Sequence, residues 1–93
     1  MSAPASPPGR RADPAARRRL AWRARRGMLE LDMVLMSFIE NSYNTMKEEE
    51  LVILERLLEW PDHQLQAVLL RGERPADPAF THVVEHIRRA VAP

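Results

Sequence analysis

Arg25-Arg26-Gly27-Met28-Leu29-Glu30-Leu31-Asp32-Met33-Val34-Leu35-Met36-Ser37-Phe38-Ile39, residues 25–39, is the stretch whose reading decides the fold. Glycine tolerates the left-handed backbone on which helices end. Gly27 therefore predicts a stop between a first helix, from Pro14 to about Arg26, and a second, from about Met28 to Tyr43. The second is apolar on most sides, through Met28, Leu29, Leu31, Met33, Val34, Leu35, Met36, Phe38 and Ile39. A helix that apolar belongs at the centre of a helical domain. The break also sets the guanidinium groups of Arg25 and Arg26 beside the carboxylates of Glu30 and Asp32. Few plain helical domains need such a turn.

Working outward, each flank reads as helix. Asp13-Pro14 pairs an N-cap acceptor with proline at the first helical position. Asn41, Ser42 and Asn44 close the second helix. Thr45 to Glu48 fits a capping box that opens a third, and Glu48, Glu49 and Glu50 suit the positive end of its dipole. Leu51, Leu54, Leu57 and Leu58 form its apolar stripe. Pro61-Asp62 leads to a short fourth helix to about Leu70, with Leu65, Val68 and Leu69 inward and Gly72 and Pro75 closing it. Asp77-Pro78 repeats the N-cap and proline signal. The fifth helix carries Phe80, Val83, Val84, Ile87 and Val91 at helical spacing. Short connections predict an all-α, compact antiparallel five-helix bundle over residues 13–93. A disordered Pro/Ala/Arg-rich tail over residues 1–12 precedes it.

Composition narrows the function. A chain of 93 residues makes one small core, with little room for a buried cofactor or a deep active site as well. No cysteine is present, which excludes disulfides, thiolate metal sites and a cysteine nucleophile. No apolar run approaches the roughly 18–20 residues needed to span a bilayer. The net charge of +1 hides an asymmetry: residues 1–26 hold eight arginines against Asp13, while residues 27–93 hold six basic and twelve acidic residues. A basic arm on an acidic body suits an acidic partner surface or nucleic acid, and equally a solvated arm that keeps a small protein in solution. The tail lacks the apolar segment of a secretory signal, and its prolines spoil a transit-peptide helix.

Two constellations stand out. On a helical wheel the first helix places Arg19, Trp22, Arg23 and Arg26 on one face, opposite Leu20. Arginine and tryptophan dominate interface hot spots; the alternative is that Trp22 folds back onto the bundle. In the turn, Arg26 and Glu30 either form a local ion pair or both face a partner, with Gly27 letting another backbone approach. Residue chemistry alone leaves cap and contact open. The second constellation is His82-Val83-Val84-Glu85-His86, which matches the H-x-x-E-H zinc pattern. A third ligand is normally found further along, only seven residues remain, and the histidines lie opposite the apolar stripe. A solvated polar face is therefore expected, with no metal site. His63 carries no signal. No phosphate loop and no Ser-His-Asp arrangement can be read, so no catalytic residue is assigned.

With these pieces in place, the chain resembles the small flavinylation factors of succinate dehydrogenase, the FAD assembly factor family. Arg19 to Trp22, Arg25 to Asp32, Met36 to Tyr43, Leu57-Leu58-Glu59 with Asp62 and Leu65, and Pro75-Ala76-Asp77 carry the likeness. The family's R-G-x-x-E signature is met by Arg26, Gly27 and Glu30. Two positions depart from the pattern: members often carry tryptophan where Val68 stands, and Trp60 is not part of the pattern. The resemblance implies a non-enzymatic assembly factor that binds the flavoprotein subunit of succinate dehydrogenase, and in some bacteria that of fumarate reductase. It would promote covalent attachment of FAD there while holding no cofactor of its own. It further implies that Arg26, Gly27 and Glu30 contact the flavoprotein, that Arg19, Trp22 and Arg25 extend the face, and that Met28 and Asp32 flank it. The expected state is a monomer in the bacterial cytoplasm, with no membrane insertion and no nucleic acid. The competing classes are a basic-arm module acting on nucleic acid, an antitoxin-like protein binder, and a small hydrolase resting on His82, Glu85 and His86.

Overall fold

A chain this rich in caps and helical stripes leaves few choices, and the computed structural model, which describes residues 13–91, makes the expected ones. Five α-helices form and, among the described residues, no strand: α1 Pro14–Arg23, α2 Leu29–Ser42, α3 Glu48–Leu57, α4 Asp62–Leu69 and α5 Thr81–Val91. The tail over residues 1–12 lies outside the described residues. Helix α2 packs against α1, α4 and α5, and α5 packs in addition against α3 and α4. The core is the predicted set: Leu20 from α1, Leu31, Leu35, Phe38 and Ile39 from α2, the leucines of α3 and α4, and Phe80, Val83, Val84 and Ile87 at α5. Val91, the last member of that stripe, has no described side chain.

Both Asp-Pro starts form as read. Asp13 Oδ1 accepts from the Ala15 amide at 2.9 Å, and Asp77 Oδ1 from the Ala79 amide at 2.9 Å. After Asp77 the chain first makes a 3₁₀ turn, Pro78–Phe80, and this seats Phe80 in the core before α5 begins. Asp77→Ala will therefore cost about 1 kcal/mol of stability, read as a lower midpoint in denaturant at unchanged slope.

Three boundaries move, each for a physical reason. Helix α1 ends at Arg23, three residues before its predicted end, because Asp32 takes the amides that would have continued it (below). Gly27 does adopt the left-handed region, at φ +80°, but in the link between helices rather than as the first residue past α1. Helix α2 gives way to a 3₁₀ turn, Tyr43–Thr45, that buries Tyr43 and leads into fully buried Met46. The capping box is displaced by two residues. Thr45 Oγ1 bonds the Ser42 carbonyl, and it is Glu50 that reaches back, accepting from the Lys47 amide at 2.8 Å.

Candidate functional site

The link from Ala24 to Met28 is built by two charged side chains, Asp32 and Arg26, the second of which the helical wheel had placed on the outer face of the first helix. Asp32, in the first turn and a half of α2, folds back over it. Its Oδ1 accepts from the Arg26 amide at 2.8 Å and the Met28 amide at 3.4 Å, and its Oδ2 from the Gly27 amide at 3.1 Å. One carboxylate thus gathers three successive backbone donors at the positive end of a helix that has no other side-chain cap. The expected flanking role of Asp32 gives way to this one: its oxygens are occupied inside the chain.

Arg26 is the second correction. Not being on α1, it leaves the predicted face and crosses to the junction of α3 and α4. Its Nε donates to Asp62 Oδ1 at 2.8 Å and its terminal nitrogens donate to the carbonyls of Leu58 (2.7 Å), Trp60 and, locally, Arg23 (3.2 Å). The side chain is only 16% exposed. A planar guanidinium suits this task, since its fork satisfies two carbonyls of the α3–α4 link and the first acid of α4 together. Every nitrogen of the group is used there, so the local pair with Glu30 does not form and Glu30 stays exposed.

What remains on the outside is a mixed surface around a rigid turn. Trp22 is 72% exposed, which removes the reading in which it folds back onto the bundle. The Arg25 guanidinium lies 5.7 Å from the centre of its ring. Arg18, Arg19 and Arg23 surround the same indole along an open depression of about 500 Å³ on α1. Gly27 faces open space: a Cβ placed on it would meet no atom of this chain within 4 Å. Met28 is half-buried against the core.

Two residues of this surface escaped the sequence reading. Leu29 is 79% and Met33 63% exposed, although α2 was expected to be the most buried helix throughout. One turn apart, they share the side of α2 that faces away from Leu31, Leu35 and Phe38. The signal was present in the excess of apolar residues: a bundle of this size cannot cover every side of one helix, and the uncovered side is apolar. Among the described residues no helix is long and apolar enough to cross a membrane, so these side chains do not belong to a membrane span.

Of the histidines, His82 lies on the solvated face as expected, at 71% exposure, and His86 is part-buried, at 31%. His82 Nε2 lies 2.9 Å from Glu50 Oε2, and His86 Nδ1 lies 3.9 Å from the same oxygen. His86 meets Phe38 edge-on at 5.0 Å. The bond from the Lys47 amide, and after it that from His82, holds the Glu50 carboxyl below the usual carboxylate range against the opposing effect of burial. Trp60 and Val68, the two departures from the family pattern, line one depression of about 480 Å³, where the indole packs 4.8 Å from Phe80.

Known proteins are similar to this chain over most of its length. The sequence model of the family described as "Flavinator of succinate dehydrogenase" matches residues 18–91, from the middle of α1 to the end of α5. The FAD assembly factor SdhE of Shewanella oneidensis is 39% identical over 75 residues, covering 81% of this chain and 92% of the relative. The FAD assembly factor SdhE of Coxiella burnetii is 34% identical over 77 residues, covering 83% and 94%. That of Legionella pneumophila is 41% identical over 70 residues, covering 75% and 87%. The match spans all five helices and the Arg26-Gly27-x-x-Glu30 turn alike: this chain belongs to the family of flavinators of succinate dehydrogenase.

Proposed function

We propose that this protein is an assembly factor that binds the flavoprotein subunit of succinate dehydrogenase and promotes covalent attachment of FAD to it. The observation that carries the reading is the surface of the turn. Gly27 and Arg25 are presented outward on a link whose backbone is fixed by Asp32 and Arg26, and Trp22 of α1 with Leu29, Glu30 and Met33 of α2 are exposed on either side of it. Binding costs less when the contacting loop is ordered in advance. Exposed tryptophan, leucine and methionine ringed by arginine have the composition of an interface centre.

In this reading FAD is the partner's cofactor and the chemistry belongs to the partner. The chain contributes orientation, holding the flavoprotein so that the accepting side chain and the flavin meet in reactive geometry. Arg26 acts through the fold by fixing the turn, whereas Gly27 and Glu30 touch the partner. Arg19 and Trp22 widen the contact, and the chain works as a monomer in a one-to-one complex. The same surface could engage a fumarate reductase flavoprotein where its contacting face is alike.

Co-expression with the flavoprotein tests this. In-gel flavin fluorescence is expected to rise with the factor present, and the two chains should co-purify. Leu29→Ser with Met33→Ser should lower both signals by at least about tenfold, since two central apolar contacts are worth roughly 1 kcal/mol or more each. Their exposure predicts no loss of thermal stability. Undiminished co-purification by the double variant would remove this face from the interface.

A further inference from the structure

The stretch from Asp13 to Arg26 holds six arginines and a single acid, Asp13 itself. Inside the fold Arg26 is taken by Asp62, Arg19 lies 3.5 Å from Asp13 in an open pair, and Arg17 stands over the Tyr43 ring at 5.8 Å. Among the described residues this leaves Arg18, Arg23 and Arg25 with no acidic partner, and all three are exposed. Arg19 and Arg23 stand four apart, a like-charge spacing that disfavours an isolated helix. The packing of α1 does not require them, since it buries only Ala16 and Leu20.

We propose that the arginine face of α1 docks on a cluster of carboxylates at the surface of the partner protein, and that this attraction steers the encounter while Leu29 and Met33 hold the complex once formed. The partner is taken to be the flavoprotein subunit proposed above, and the surface it presents here must be acidic. Ala15, Arg18, Arg19, Trp22 and Arg23 line one open depression of about 500 Å³, as their helical spacing directs. Arginine suits a carboxylate there, because its fork makes two parallel hydrogen bonds and sheds water more readily than an ammonium.

Continuity selects a protein over other polyanions. Trp22 joins the arginine face to the link, and exposed Leu29 and Met33 follow directly beyond it. A nucleic acid drawn to the arginines would leave those two apolar side chains bare and would meet the acidic body, where residues 27–93 hold twelve acids against six basic residues. Helix α1 has no apolar side to lay into a bilayer, its exposed face being arginine around a single tryptophan. Exposed charges at the edge of an interface act chiefly on the rate of association and are screened by salt, whereas central apolar contacts govern the rate of departure.

The test measures association and dissociation rates of the full chain on immobilised flavoprotein subunit, at low and at high NaCl. Arg18→Glu with Arg23→Glu should slow association by about tenfold or more at low salt, with dissociation changed by less than about threefold. High salt should close most of that gap. Arg18→Gln with Arg23→Gln should fall between, and Arg74→Glu with Arg89→Glu, which changes the same charge outside α1, should stay within about twofold of the unaltered chain. Melting curves show that each variant is folded. A low-salt association rate unchanged by the α1 reversal, or lowered equally by the reversal outside α1, overturns the proposal while leaving flavoprotein binding intact. Absence of binding by the unaltered chain removes the flavoprotein itself as partner, and this assignment with it. Tight binding of single-stranded DNA at about 150 mM salt, lost with the α1 reversal, would give the face to nucleic acid instead.

Discussion

Arg26→Ala will lower the thermal unfolding midpoint by about 10–20 °C, the largest effect expected of any single polar replacement in this chain. The variant leaves the Leu58 and Trp60 carbonyls without their donor and Asp62 without its ion pair, at a junction where the guanidinium is mostly shielded from water. Charge-assisted hydrogen bonds contribute roughly 1.5–3 kcal/mol each, but Asp62 is partly open to solvent and water can replace some of what is lost, so about 2–3 kcal/mol in total is expected. Arg26→Lys should recover less than half of it, because an ammonium cannot span two carbonyls and a carboxylate from one position. Scanning calorimetry on the purified variants measures this directly. A midpoint within 3 °C or so of the unaltered protein would mean that the guanidinium is not what joins α3 to α4. Any loss of flavinylation by Arg26→Ala is then expected to come with loss of stability.

The helices and core were legible in sequence because local rules and burial agree there. Asp13-Pro14 and Asp77-Pro78 can start little else than a helical turn, and the leucine stripes of α3 and α4 bury the residues their spacing selects. The turn was legible only as a place. That Gly27 would be left-handed follows from its chemistry, yet the end of α1 depends on Asp32, whose choice of three backbone amides over solvent is settled by the geometry of α2. Arg26 was misplaced for the same reason. A wheel assumes that the helix continues, and the partners that draw Arg26 away lie more than thirty residues along the chain. Leu29 and Met33 were hidden by a correct argument taken too far: α2 is central, but a central helix of a small bundle still has one bare side. The histidines were read as a solvated face, which holds for His82, but the packing of α3 on α5 that brings Glu50 to them is not visible in their spacing along the chain.

Gly27→Asn and Glu30→Ala will each fold as the unaltered protein does and each cut covalent flavin labelling of the co-expressed flavoprotein by at least about tenfold. The two variants separate contact from conformation. Gly27 sits at φ +80°, where a branched residue such as valine is strained by about 1–2 kcal/mol or more, so loss of function by Gly27→Val alone is ambiguous. Asparagine tolerates the left-handed region far better, and a Cβ at this position meets nothing in the chain itself. Its side chain can matter only to something that approaches from outside. Glu30 is exposed, with Arg26 committed elsewhere, so its truncation should change stability by less than about 0.5 kcal/mol. If the factor works by holding two surfaces of the flavoprotein in register, an added side chain at Gly27 displaces the partner by an ångström or more. Misplacement on that scale can slow a geometry-dependent step by about a hundredfold. In-gel fluorescence reports the flavin, and melting curves on the same preparations report the fold. Full labelling with both variants, at unchanged melting midpoints, would place the working surface somewhere other than this turn.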